Sequence, residues 1–69
     1  MMKVKFGENL KSELLSKNIT QDTLAKKLNT TQATVSRWIS GINQPDFETL
    51  FLLCEILECE PNELLGWKE

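Results

Sequence analysis

Apolar residues recur at three- and four-residue intervals along most of the chain, broken by short polar punctuation at regular distances. Phe6, Leu10 and Leu14, with Leu15 beside them, follow helical spacing and predict a first helix over about 6–17. Asn18 tolerates the left-handed backbone that ends a helix, and Thr20 is a good N-cap for the next one, with Asp22 placed to favour the helix dipole. Leu24, Ala25 and Leu28 give that second helix, about 21–28, its apolar stripe. Asn29 and Thr30 form a tight break. Thr31 caps a third helix over about 32–40, from which Val35 and Trp38 point inward and which Gly41 terminates. After a loop from Ile42 to Pro45, Asp46 caps a long helix whose buried positions are Phe47, Leu50, Leu53, Cys54 and Leu57; Pro61 opens a last short helix carrying Leu64 and Leu65. No segment alternates with period two, so the expected class is all-α with five helices.

Length and composition narrow what such a chain can do. Sixty-nine residues make a single domain, residues 1–69, that buries only about 60% of its unfolded surface, so association with a second copy is a natural supplement to its core. With 41% hydrophobic and 26% charged residues it reads as an ordinary soluble domain. The longest apolar run, Leu50 to Cys54, is far short of the ~20 residues that span a bilayer, and no signal peptide is evident, so a cytoplasmic location is expected. A chain this short also has no room for a separate effector-sensing domain. The net charge of −2 speaks against a generic polyanion binder, but its distribution is uneven. Residues 1–38 balance to +4, from seven basic and three acidic groups, whereas residues 39–69 balance to −6, from one basic and seven acidic groups. Such a molecule can turn one side to a polyanion and keep the other away; two solvated helix faces account for the same numbers equally well.

Chemistry beyond binding is sparse. Cys54 and Cys59 stand five apart in a chain with no histidine and no other cysteine, so a zinc site lacks ligands, and they are expected as core thiols. The carboxylates Glu55, Glu58, Glu60 and Glu63 look like a solvated acidic surface. Without histidine or a Gly-rich phosphate loop, no catalysis, metal or cofactor is expected.

The middle of the chain is more specific. Counting from Gln21, the apolar residues Leu24, Leu28, Val35 and Trp38 stand fourth, eighth, fifteenth and eighteenth. Ala25 stands fifth, where a crossing helix leaves no space for a larger side chain, and Asn29 stands ninth, at a turn that needs positive φ. Two short helices locked by these positions make a helix-turn-helix over about 21–40.

With Ile19-Thr20-Gln21, the run Thr31-Gln32-Ala33-Thr34-Val35-Ser36-Arg37-Trp38, Gly41 followed by Pro45, and the closing Pro61-Asn62-Glu63-Leu64-Leu65-Gly66, the chain resembles the lambda-repressor-like helix-turn-helix proteins, which include phage repressors, Cro proteins and XRE-type regulators. The resemblance covers nearly the whole chain. It implies a compact five-helix domain, a third helix lying in the DNA major groove, and binding as a two-fold dimer to a palindromic operator. By position it implies base reading by Gln32, Ala33, Thr34 and Arg37, and phosphate contact by Gln21, Thr31, Ser36, Asn43 and Gln44. The chemistry agrees: Gln pairs bidentately with adenine, Arg with guanine, and the methyls of Ala33 and Thr34 suit thymine. The helix start near Gln32 also attracts phosphate.

Two features depart from the family pattern. Leu14 and Ile39 stand where many members join the first and third helices by an Arg–Glu ion pair; with both partners apolar, no charge is stranded. Glu60 stands where a capping Ser or Thr is common before Pro61, so the last helix is expected to fray. The functional expectation is a prokaryotic or phage-encoded transcriptional regulator of the repressor type, acting as a homodimer on double-stranded DNA. An antitoxin, or a protein-interaction module on the same fold, is the alternative. Leu64, Leu65 and Trp67 are the apolar residues expected at a dimer contact, and Trp67 is equally suited to capping the chain's own core.

Overall fold

Five helices account for the regular structure of residues 5–66, the part of the chain that the computed structural model describes: α1 Phe6–Ser16, α2 Gln21–Lys27, α3 Gln32–Ser40, α4 Phe47–Leu57 and α5 Pro61–Leu65. Starts and stops follow from local chemistry. Thr20 Oγ1 accepts the Thr23 N–H at 3.1 Å, Thr31 Oγ1 that of Thr34 at 3.2 Å, and Asp46 Oδ1 that of Thr49 at 2.8 Å, each satisfying a first-turn donor without a carbonyl partner. Those hydrogen bonds from Thr49 hold the Asp46 carboxyl below the usual carboxylate range. α1 and α2 stop one residue earlier than their stripes predict, with Lys17 and Leu28 as the half-helical C-caps.

The first four helices end in one way. A residue with positive φ follows the C-cap or forms the last turn's corner: Asn18 (55°), Asn29 (58°), Gly41 (81°) and Glu58 (53°). The next N–H then reaches back five residues: Ile19 to the Leu14 carbonyl at 2.9 Å, Thr30 to Ala25 at 2.9 Å, Ile42 to Arg37 at 3.0 Å, and Cys59 to Cys54 at 3.0 Å. This is the Schellman arrangement, which satisfies carbonyls at the helix end. Asn and Gly announce three of these stops. Glu58 does not, since a long acidic side chain has no preference for the left-handed region; the stop there is imposed by the return of α5 onto the bundle.

α3 packs on both α1 and α2, and α5 packs on α1 and α4. The core they enclose consists of Phe6, Leu10 and Leu14; Leu24 and Ala25; Val35 and Trp38; Leu50, Leu53, Cys54 and Leu57; and Leu64. Among the described residues no polar or charged side chain is buried. Ala25 retains 2% of its surface, in keeping with the close α2–α3 crossing. Asn9 adds a polar tie: its Nδ2 donates to the Leu64 carbonyl at 3.0 Å and pins α5 to α1.

Three expectations need correction. Phe47 is not part of the core: it is 81% exposed, because it opens α4 at the edge of the buried stripe and lies one turn before the exposed Phe51. Leu64 is fully buried and so cannot serve a dimer contact, Leu65 is half-buried, and Trp67 lies outside the described residues. The start of α5 is held even though Glu60 precedes Pro61, because the Glu63 carboxylate reaches back and accepts the Glu60 N–H at 2.8 Å.

Candidate nucleic-acid interface

The helix-turn-helix comprises α2, a four-residue turn (28–31) and α3. At about 100° per residue, the buried or half-buried side chains of α3, namely Thr34, Val35, Trp38 and Ile39, occupy one side. Gln32, Ala33, Ser36, Arg37 and Ser40 share the opposite arc, and all five are exposed. The inward side fixes the helix against α1 and α2; the outward side is a row of hydrogen-bonding groups around one methyl.

Individual positions refine this picture. Gln32 and Ala33 open the helix, so their N–H groups have no carbonyl one turn back and face outward with the helix dipole behind them. Thr34 stands at the edge of the face, half-buried, with its hydroxyl 3.0 Å from that of Thr31. Thr31 is exposed, but its hydroxyl also accepts the Thr34 N–H, so the pair is committed to capping α3. Arg37 is exposed in the last turn, with no ion-pair partner among the described residues. Its carbonyl anchors the following loop, accepting from Ile42 at 3.0 Å and from Asn43 at 3.4 Å. The exposed Asn43 is thereby tied to the end of α3, and the exposed Gln44 follows it in the chain.

Grooves run along both sides of α1 where it meets α3. One, lined by Lys11, Leu14, Leu15, Ile19, Gln21 and Ile39, places the half-buried Gln21 at the start of α2 beside a lysine. In the other, Lys5, Ser40 and Gln44 share the lining with Gly7, Trp38 and Ile39. Leu14 and Ile39 thus face one groove, as their alignment with the family's ion pair requires. Lys11, and Ser40 on the outward arc, escaped the sequence reading. A helical wheel of α3 identifies Ser40, but no motif marks Lys11. Basic groups at other positions are partly neutralised: Lys26 lies 3.1 Å from Asp22, and Lys17 is paired with Glu13, which raises the Lys17 pKa through their hydrogen bond. The acidic surplus lies on Asp46, on Glu48 and Glu55 of α4, on the cap residues Glu58 and Glu60, and on Glu63 of α5.

Residues 10–64, most of the chain, match the model of the helix-turn-helix family. The chain belongs to that family. Within it the fold is of the lambda-repressor type, and this helix-turn-helix chain has well-defined relatives. It is similar to the HTH-type transcriptional regulator DicA of Escherichia coli, 34% identical over 59 residues that cover 86% of this chain and 44% of DicA. It is similar also to the HTH-type transcriptional activator BcrR of Enterococcus faecalis, 32% identical over 66 residues that cover 96% of this chain and 32% of BcrR. The helix-turn-helix chain therefore spans less than half the length of these curated relatives. Among solved structures, the P22 c2 repressor in complex with a synthetic operator superposes with a TM-score of 0.82 at 26% identity, covering 93% of this chain and 96% of that one.

Proposed function

We propose that this chain is a sequence-specific DNA-binding transcriptional regulator that seats α3 in the major groove of a palindromic operator and binds it as a two-fold pair. The observation that carries the proposal is the two-sidedness of α3. A polar arc of Gln32, Ala33, Ser36, Arg37 and Ser40 stands clear of the protein, while Val35 and Trp38 lock the opposite side into the core. The match to a repressor whose structure holds an operator supports the same docking for this fold.

In this scheme Gln32 reads adenine, Arg37 reads guanine, and Ala33, with the Thr34 methyl at the edge of the face, touches thymine. Gln21, Ser36, Asn43 and Gln44 grip phosphates, and Thr31 contributes by holding the first turn of α3 open toward the backbone. Occupancy of an operator is enough to repress, and the domain supplies what occupancy requires; we therefore favour the repressor sense.

The test begins with selection of bound sites from a random duplex library, with palindromic winners expected. On the selected duplex, Gln32→Ala should cost about 1–3 kcal/mol and relax preference at one base pair, with little change on scrambled DNA. Equal losses on both duplexes would show that Gln32 reads no base. A five-base-pair insertion at the operator centre should rotate one half-site to the far side of the duplex and abolish cooperative binding.

A further inference from the structure

We infer that Cys54 and Cys59, brought together by the turn that ends α4, form a two-coordinate site for a soft monovalent metal ion, Cu(I). The inference stands apart from the DNA-binding reading and does not depend on it.

Local backbone geometry makes the pair. Cys54 lies in the last turn of α4, and Glu58 then takes the left-handed conformation with φ of 53°. The chain doubles back, so that the Cys59 N–H donates to the Cys54 carbonyl at 3.0 Å and the Glu58 N–H to the Glu55 carbonyl at 3.3 Å. In this double closure the first and sixth residues carry side chains that pack on each other, ordinarily as an apolar contact. Here both residues are free cysteines, and their thiols lie within hydrogen-bonding reach of each other. Cys54 keeps 7% of its surface, whereas Cys59 is half-buried. One sulfur is sealed against the core and the other stays open to an entering ion.

Ligand number selects the ion. Among the described residues no group of three or more His, Cys, Asp or Glu side chains could hold a metal. Zinc, with its four ligands, and the hard cations that take six or more oxygens are therefore not served. Thiolates prefer soft ions, and of these Cu(I) is satisfied by two sulfurs in a line. Two thiolate–metal bonds of about 2.3 Å each call for sulfurs roughly 4.6 Å apart. Side chains in contact already stand about 4.0–4.5 Å apart, so the pair opens only slightly to admit the ion. A disulfide would instead draw the sulfurs together to about 2.05 Å.

Binding exchanges protons for the ion. Each S–H gives its proton to solvent as its sulfur–copper bond forms, so one Cu(I) displaces two protons and leaves a unit with a single negative charge. Burial raises both thiols, Cys59 to about 11, so the metal-free pair is protonated and only an ion with a strong preference for thiolate enters. Glu13 and Glu63 act on Cys59 through their charges, and Lys17 opposes them. Lys17 is already paired with Glu13, so the surplus at the mouth of the site is negative and draws a cation.

The test titrates the reduced chain with Cu(I) under argon against a chromogenic Cu(I) chelator, alongside Cys59→Ser, Cys54→Ala and a parallel titration with Zn²⁺. Wild type should take up one Cu(I) per chain, release two protons per ion and develop a sulfur-to-copper charge-transfer band. Its Tm should rise with free Cu(I), as preferential binding to the folded state requires. Each cysteine variant should lose at least about 100-fold in affinity, together with the Tm response. Ser is close to Cys in size and position 59 is half-buried, so Cys59→Ser should fold, which circular dichroism checks. That variant decides the matter should Cys54→Ala fail to fold. Wild type that withdraws no Cu(I) from the chelator would overturn the inference and leave the pair as core thiols. So would unchanged affinity in Cys59→Ser, Zn²⁺ binding as tight as that of Cu(I), or one ion shared between two chains.

Discussion

Gly7 lies in the first turn of α1, against the C-terminal end of α3. A Cβ built there would stand 2.4 Å from the Ile39 carbonyl oxygen, 2.7 Å from that of Trp38, and 2.9 Å from the Ile39 carbonyl carbon. All three are backbone atoms of α3, so none can swing aside as the tip of a side chain would. To restore a van der Waals separation of about 3.5 Å, Gly7→Ala must push α1 away from α3 by roughly 1 Å. Such a gap forfeits a quarter to a half of the dispersion energy of every contact it opens. The contacts at stake are those of Phe6, Leu10 and Leu14 in the core layer against α3. Overpacking of this kind costs about 1–3 kcal/mol and occasionally more, and a clash on rigid backbone belongs at the upper end. Alanine's better helix propensity returns about 1 kcal/mol. The expected net loss is about 2 kcal/mol, or roughly 10 °C in Tm for a domain of this size. Total stability is about 3–10 kcal/mol for 69 residues, so the loss is a large fraction of the whole. Urea unfolding followed by far-UV circular dichroism measures it, provided the slope is unchanged. Gly41→Ala is the control. Its φ of 81° imposes left-handed strain of about 1 kcal/mol, but its Cβ meets nothing within 4 Å. Gly7→Ala as stable as wild type, or less harmful than Gly41→Ala, would refute the close approach of α1 to the end of α3. Because the displaced atoms belong to the last turn of α3, the helix proposed to enter the major groove, DNA affinity should fall along with stability.

Two further results are expected. Ile39→Glu alone places a carboxylate in the groove it shares with Leu14 and should destabilise by several kcal/mol, whereas Leu14→Arg should cost less because its head can reach water. The double variant should recover about 0.5–3 kcal/mol as coupling energy in urea unfolding of the four proteins, and strict additivity would show that the two side chains are not neighbours. Burial, reinforced by the neighbouring Cys54, pushes the Cys59 thiol up to about 11. Its alkylation should be slow at pH 8 in the folded protein and normal in urea, and a rate already at the unfolded level would contradict this burial. By linkage, the unfolded thiol ionises first, so the contribution of Cys59 to stability is complete below its ordinary pKa and is lost as pH rises toward 11. Cys59→Ala should remove that part of the alkaline decline.

Most of the architecture was legible in the chain because its information is local. A helix start needs an acceptor one turn from its first donors, and Thr20, Thr31 and Asp46 each provide one. A helix stop needs a residue that tolerates positive φ, and Asn18, Asn29 and Gly41 are such residues. The spacing of Leu24, Ala25, Leu28, Val35 and Trp38 dictated how α2 and α3 cross, and with it the outward placement of Gln32 and Arg37. Tertiary structure decided whatever depended on where a helix ends relative to its neighbours. Periodicity assigns a face but not a neighbour, so Phe47 on the edge of the α4 stripe is exposed and Leu64 in a five-residue helix is fully buried. The tie from Asn9 to Leu64 and the left-handed Glu58 likewise arise only when α5 folds back against α1 and α4. Gly7 makes the same point: nothing in the local sequence forbids a methyl group there, and only the carbonyls of Trp38 and Ile39, some thirty residues away in the chain, take up its space.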